Sequence, residues 1–291
     1  MNEDSRPLLA ATWMSGAIVA FTFMAISGRE LSTELDTFEM MMYRSCVGLI
    51  VVLGFGFSFN RLGDIRARRL PLHILRNICH FTGQNLWFYA LTLLTFAQVF
   101  ALEFTTPIWV IILAVLFLGE KISSGRIMAV ALGFAGVMAV ARPGGGASEI
   151  GLIMAAASAV GFAGSLVTTK LLTRSETILS ILFWMTAIQA VFGLLTTGWD
   201  GDIAWPSAAA WPWLVLLGIG GLAAHTCITN ALKVAPATVV VPLDFMRLPV
   251  IAIVGMLFYA EPMDAWVFLG AGLIFFGNYV NILSEAKRRR D

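Results

Sequence analysis

Residues 71–136, PLHILRNICHFTGQNLWFYALTLLTFAQVFALEFTTPIWVIILAVLFLGEKISSGRIMAVALGFAG, return 141 positions later as residues 212–277, PWLVLLGIGGLAAHTCITNALKVAPATVVVPLDFMRLPVIAIVGMLFYAEPMDAWVFLGAGLIFFG. Laid against each other without gaps, 15 of 66 positions are identical. They include Pro71/Pro212, Ala90-Leu91/Ala231-Leu232, Phe104/Phe245, Leu116-Phe117/Leu257-Phe258, Glu120/Glu261, Phe134/Phe275 and Gly136/Gly277, and Glu103 faces Asp244 as a chemical match. The apolar stretches around these copies divide into five spans each, and an odd number turns the second copy upside down in the bilayer. An inverted repeat provides two nearly equivalent packings, one open to each side, and many secondary transporters are built this way. The pattern predicts an all-α polytopic membrane protein with ten transmembrane helices in two inverted five-helix repeats, residues 1–141 and 142–291.

Composition supports the membrane class. Hydrophobic residues make up 58% of the chain and charged residues 13%, with a mean hydropathy of +0.83; a soluble domain carries about 25% charged residues. A helix needs roughly 20 apolar residues to cross a bilayer. Ten such stretches lie near residues 8–27, 37–59, 72–94, 97–118, 126–140, 150–172, 177–197, 211–232, 236–259 and 264–283. Little chain is left for a soluble domain. The first stretch is too long for a signal peptide and no small-residue cleavage site follows it, so it is read as a span.

The basic residues orient the spans. With both termini in the cytoplasm, 15 of the 19 lysines and arginines fall inside, among them Arg61, Arg66, Arg68, Arg69 and Arg76 around the inner end of the third span and the basic tail 287–290. Arg29 and Arg142 fall outside, and Arg44 and Arg247 lie within spans. This is the positive-inside bias of an even number of spans, and a bacterial inner membrane is the expected location. Cys46, Cys79 and Cys227 sit in separate spans without paired spacing and read as small packing residues.

Pro107-Ile108-Trp109 through Phe117-Leu118-Gly119-Glu120-Lys121, followed by Gly133-Phe134-Ala135-Gly136, resembles the hallmark of the EamA-type domain of the drug/metabolite transporter superfamily. A second copy runs from Pro249 through Phe258-Tyr259-Ala260-Glu261 to Gly270 and Gly277, with Ala260 in place of Gly119 and Pro262 in place of Lys121. The chain is most similar to the aromatic amino-acid exporter group of bacteria in length, short loops and an aromatic-rich third span. The resemblance implies a basket of ten helices with a cavity lined by spans 1, 3, 4, 6, 8 and 9, and with spans 5 and 10 peripheral.

Polar groups within spans are costly and must face protein or a watery cavity. In span 3, Asn77, His80, Phe81, Gln84 and Phe88 share one helical face by their i, i+3, i+4, i+7 spacing. Amides, imidazole and rings on one stripe suit a small zwitterion or aromatic molecule; the alternative is interhelical hydrogen bonding. The repeat maps Gln84 onto His225, which lies within about 5 Å of the middle of span 8 by the helical rise. Phe104 and Phe245, and Phe21 with Phe162, are candidate cavity walls or ordinary packing. Glu103 and Asp244, about 10 Å from opposite membrane surfaces by the same rise, form a possible charge network with Arg44 and Arg247: Arg247 is one turn from Asp244, and Glu103 is a candidate partner for Arg44. Pro107, Pro242 and Pro249 are expected to kink these spans. Glu120 and Glu261 are expected to stabilise the starts of peripheral helices.

The leading reading is a transporter that exports neutral amino acids, aromatic and large apolar ones preferred. Vitamin import, riboflavin included, is the alternative. The four intramembrane charges are expected to neutralise one another, whereas an anionic substrate calls for an unpaired arginine. No H-E-x-x-H and no nucleophile-elbow motif occur, so an intramembrane enzyme is disfavoured, and no catalytic residue, metal or cofactor is expected. The partners are a small-molecule substrate and the lipid bilayer, not nucleic acid; a monomer is the assembly kept.

Overall fold

The computed structural model of the chain describes residues 7–118, 124–142, 146–172, 175–199, 202–234, 243–244 and 246–288. Among these the regular elements are helical: α1 (Pro7–Leu31), α2 (Thr37–Ser58), a 3-10 turn (Leu62–Asp64), α3 (Leu70–Leu93), α4 (Phe96–Glu103), α5 (Thr106–Leu118), α6 (Ser124–Ala141), α7 (Glu149–Leu172), α8 (Ile178–Thr197), α9 (Ala210–Val234), α10 (Arg247–Tyr259) and α11 (Ala265–Arg288). Six helical stretches among them are long and apolar enough to cross a bilayer, and residues 130–141, 247–259 and 265–280 add shorter apolar helices. At 24 residues α3 has the length, but its polar stripe lowers its hydropathy.

Local chemistry sets the helix ends. At the start of α2 the Asp36 carboxylate accepts from the Glu39 backbone N–H at 2.8 Å, and the Glu39 side chain accepts from the Asp36 N–H at 2.9 Å. Thr95 and Gln98 form the same reciprocal box at the start of α4. Each satisfies backbone donors that the first helical turn leaves free.

The fourth span is broken. Pro107 has no N–H to offer, and its ring collides with the carbonyl four residues earlier, that of Glu103. The helix stops there and restarts at Thr106. Nearby carbonyls accept from hydroxyls instead: Thr105 Oγ1 donates to Leu102 O at 2.7 Å and Thr106 Oγ1 to Glu103 O at 2.6 Å. Adding 141 to the bounds of α5 gives residues 247–259, the bounds of α10, so the repeat extends to where the restarted helices begin and end. The stretch 236–242 that would precede α10, Pro242 included, lies outside the described residues, as do Gly119, Glu120, Lys121 and Phe245. Ala260 ends α10 with φ 52° and ψ 30°, the left-handed conformation in which helices commonly place glycine. The departure from the first-copy glycine therefore falls at a C-cap.

The packing has the symmetry of the repeat. The main pairs are α1 with α9, α3 with α7, α2 with α8 and α6 with α11. Exchanging the two sets of five spans carries the first pair onto the second and returns each of the others to itself. Spans 5 and 10 thus pair with one another, and their axes come close because a Cβ on Gly136 would lie 2.5 Å from the Gly270 carbonyl oxygen, and the reverse. Gly83 and Gly161 bring α3 and α7 together similarly, the use small residues have between helices in a membrane. Ile50, Phe57, Leu195, Leu257 and Phe258 stay exposed, an apolar exterior that lipid covers. Cys46 is exposed, and Cys79 and Cys227 are half-buried; all three are free thiols.

Candidate functional site

The face of α3 is buried along its length. Asn77, His80, Phe81, Gln84, Asn85 and Phe88 all lie inside the bundle. His80 stands ten residues, about 15 Å, from the start of α3, near mid-helix. Its ring is 6.0 Å from Phe162 of α7 and 6.1 Å from His225 of α9, centroid to centroid, and His225 is 6.2 Å from Phe21 of α1. Four rings from four helices, two from each repeat, therefore form a chain through the centre of the bundle.

Amides surround these rings. Gln189 of α8 donates from Nε2 to Asn77 Oδ1 at 3.0 Å and lies 2.9 Å from His80 Nδ1. Asn77 in turn donates to the His73 carbonyl at 2.8 Å, and Asn85 to the Phe81 carbonyl at 2.8 Å. Gln84 has no hydrogen-bond partner among the described residues although it is buried. The stripe divides by contact. Phe81 packs between Phe38 and Phe192, with centroids at 6.2 and 5.7 Å, and Phe88 packs on Trp87 at 5.2 Å and against Gly28. These two phenylalanines sit in the hydrophobic core, while His80 meets the rings of Phe162 and His225.

The charge network differs from expectation. Arg247 Nη2 donates to Glu103 Oε1 at 3.1 Å and to Asp244 Oδ2 at 3.3 Å. The two acids therefore do not sit near opposite surfaces: one guanidinium reaches both. Trp87 Nε1 donates to the other Glu103 oxygen at 2.9 Å, and the Arg247 guanidinium lies over Phe21 at 4.4 Å, with Phe100 at 5.0 Å and Phe104 at 5.1 Å. Phe104 is thus a wall of the Arg247 site.

Glu103 is not the partner of Arg44. That guanidinium, 6% exposed, reaches only Met41 Sδ, at 3.4 Å, and no carboxylate pairs with it among the described residues. Arg76 does not belong with the loop arginines either. It is buried in α3 and donates to Thr169 Oγ1 at 3.3 Å and Asn77 Oδ1 at 3.1 Å. Its position was legible, four residues before His80 and so on the same face. Gln189 was missed, although a glutamine in the middle of an apolar span is itself a signal.

Both ends of the bundle are tied. At one end Arg29 of α1 pairs with Glu261 and donates to the carbonyls of Leu91 at 2.7 Å and Leu94 at 2.7 Å. Glu261 also accepts from the Phe96 N–H at 2.9 Å. It therefore caps α4, not the peripheral helix that follows it in sequence. A depression of about 500 Å³ opens beside this clamp, lined by Arg29, Thr92, Thr95, Gln98, Ser148 and Glu261. At the opposite end the link between α2 and α3 docks on α8. Arg68 N donates to Glu176 Oε1 at 2.8 Å, Trp184 Nε1 donates to Arg66 O at 2.9 Å, and His73 lies 3.8 Å from Glu176.

Comparison with known proteins places this geometry. The profile of the EamA-like transporter family matches residues 8–142 and 149–283. The chain is 28% identical to a riboflavin transporter of Rhizobium johnstonii over 99% of its own length and 95% of the relative's. It is 32% identical to a riboflavin transporter of Brucella anthropi over 72% and 75%, and 26% identical to an S-adenosylmethionine uptake transporter of Rickettsia felis over 99% and 97%. A solved crystal structure superposes with a TM-score of 0.66 at 18% identity, covering 97% of this chain and 99% of the other, which shows the fold. With a two-copy family match spanning nearly the whole sequence and relatives that are themselves transporters, the chain belongs to the EamA-like transporter family.

Proposed function

We propose that this transporter moves amino acids with aromatic or large apolar side chains across the bacterial inner membrane by alternating access, in the export direction, with both termini in the cytoplasm. The observation that carries the reading is the chain of rings formed by Phe21, His225, His80 and Phe162. Flat apolar faces joined to amide donors at mid-helix accept a ring on one side and polar groups on the other. The pathway then runs along Asn77, His80, Gln84 and His225, between halves dividing near residue 141. Arg29 and Glu261 act as a gate at the outer end, because their pairing ties α1, α4 and the end of α10 together. The break between α4 and α5 supplies a place where the bundle can bend.

Expression in bacteria is expected to raise tolerance to toxic phenylalanine or tryptophan analogues, and Gln84→Leu and His225→Leu to abolish that gain while folded protein remains in the membrane. Unchanged sensitivity would reject amino-acid export. Riboflavin uptake is the second reading, favoured by the names of two relatives; growth of a riboflavin-requiring strain on trace vitamin would select it. Thiol labelling of cysteines placed at Gly63 and Asp202 tests the orientation, which requires reaction from opposite sides.

A further inference from the structure

Arg44 and Arg76 are two buried cations for which transport of a neutral solute gives no role. Each guanidinium offers five N–H donors; Arg44 uses one, on a sulfur, and Arg76 two, on a hydroxyl and an amide. The nearby carboxylate at the Arg66 end, Glu176, accepts from the Arg68 N–H, and His73 lies 3.8 Å from it. The effective cost of burying an ion is several kcal/mol unless a counter-charge meets it. Arg247 has such partners, and among the described residues these two do not.

Their surroundings form a built site. Gly221 of α9 lies beneath the Arg44 guanidinium, and a Cβ there would stand 2.7 Å from Nη2. The glycine therefore makes room for the charge at the eleventh residue after the start of α9, about 16 Å along that helix. Arg44 and Gln189 line one small cavity of about 10 Å³, with Thr186, Ser45 and Gly218, room for about one water and hence for one carboxylate oxygen. Gln189 joins that cavity to His80 and to Asn77, which holds Arg76. Through Asn77, Gln189 and His80 the two cations are therefore linked to the four rings.

We infer that Arg44 and Arg76 bind the carboxylate of the transported molecule, with its ring lying along His80, His225, Phe21 and Phe162. The inference rests on the proposed transport reading and narrows it: the substrate class is a small carboxylate-bearing aromatic, not an uncharged vitamin. The substrate brings the counter-charge with it, and guanidinium recognises carboxylate through paired, charge-assisted hydrogen bonds.

The test uses purified full-length protein in liposomes, counterflow of labelled L-tryptophan and labelled riboflavin, and two competitors of nearly equal shape, phenylacetate and phenylacetamide. L-Tryptophan is expected to exchange, and phenylacetate to inhibit at a concentration at least tenfold lower than phenylacetamide. In Arg44→Met and Arg76→Met that ratio is expected to fall towards one, with Arg44→Lys retaining part of it. Equal inhibition by acid and amide in the wild-type protein overturns the inference whether or not any variant folds. Ratios unchanged in both methionine variants overturn it also, as does exchange of riboflavin alone. Absence of counterflow with every solute rejects the transport reading and the inference with it, whereas exchange without charge preference rejects the inference alone.

Discussion

Arg247 and Arg44 are both arginines buried mid-bundle, yet they sit in opposite electrostatic circumstances. Arg247 is held by two carboxylates and three aromatic faces beside the break in span 4. Arg44 touches a thioether and the backbone gap at Gly221. A guanidinium paired with carboxylates holds helices together, because removing it strands two acids in the bundle interior. One without a carboxylate among the described residues has no such pairing to lose, and the recognition role inferred above for Arg44 rests on that difference.

The comparison is broken most severely by Arg247→Met. Glu103 and Asp244 would lose their shared cation, and removal of one partner from a buried pair costs about 3–5 kcal/mol. Thermal unfolding in detergent is expected to show a large loss of stability. Glu103→Gln with Asp244→Asn added to that variant is expected to recover most of it. If Arg247→Met unfolds like the wild-type protein, the cluster is not a structural clasp.

Arg44→Met is expected to do the reverse. Leaving no stranded partner, it should hold or raise the unfolding temperature while reducing tryptophan counterflow at least tenfold. A variant that loses stability but keeps transport would place Arg44 with Arg247 as a fastener.

The clasp at the end of the bundle gives a third point on the same scale. Glu261→Gln keeps the shape but removes the charge that Arg29 meets, and leaves the Phe96 N–H a neutral acceptor. Breaking hydrogen bonds to a charged group costs roughly 1.5–3 kcal/mol when buried, less here because both side chains retain some exposure, 16% and 11%. Faster thiol labelling of a cysteine at Thr92, beside the clamp, is the expected readout, and unchanged labelling would argue against a gate.

The smallest effect is expected from Gly221→Ala. Alanine gains about 1 kcal/mol of helix propensity over glycine, offset by its contact with the Arg44 guanidinium. Combined with Arg44→Met, the contact disappears, so the cycle should show a coupling of about 0.5–3 kcal/mol between the two positions. Simple additivity would show that Gly221 makes no room for Arg44.

The sequence by itself determined the class and the architecture. Apolar stretches of about 20 residues admit few structures other than membrane helices, and the 141-residue offset carries the bounds of α5 onto those of α10. Arg247 with Asp244 was also legible, since the two are three residues apart in the sequence. Partners from different spans were not. Periodicity places a residue on a face of its own helix and is silent about which helix that face meets. Glu103 therefore read as a partner for Arg44, Glu261 as a cap for the helix after it, and Arg76 as one of the basic residues that anchor a loop. Only the tertiary packing decided these cases, by bringing α10 to Glu103, α4 to Glu261, and α7 and α8 to the polar face of α3. Among the described residues it left Arg44 and Arg76 without a paired acid, because burial imposes a cost on every charge but does not by itself supply the counter-charge.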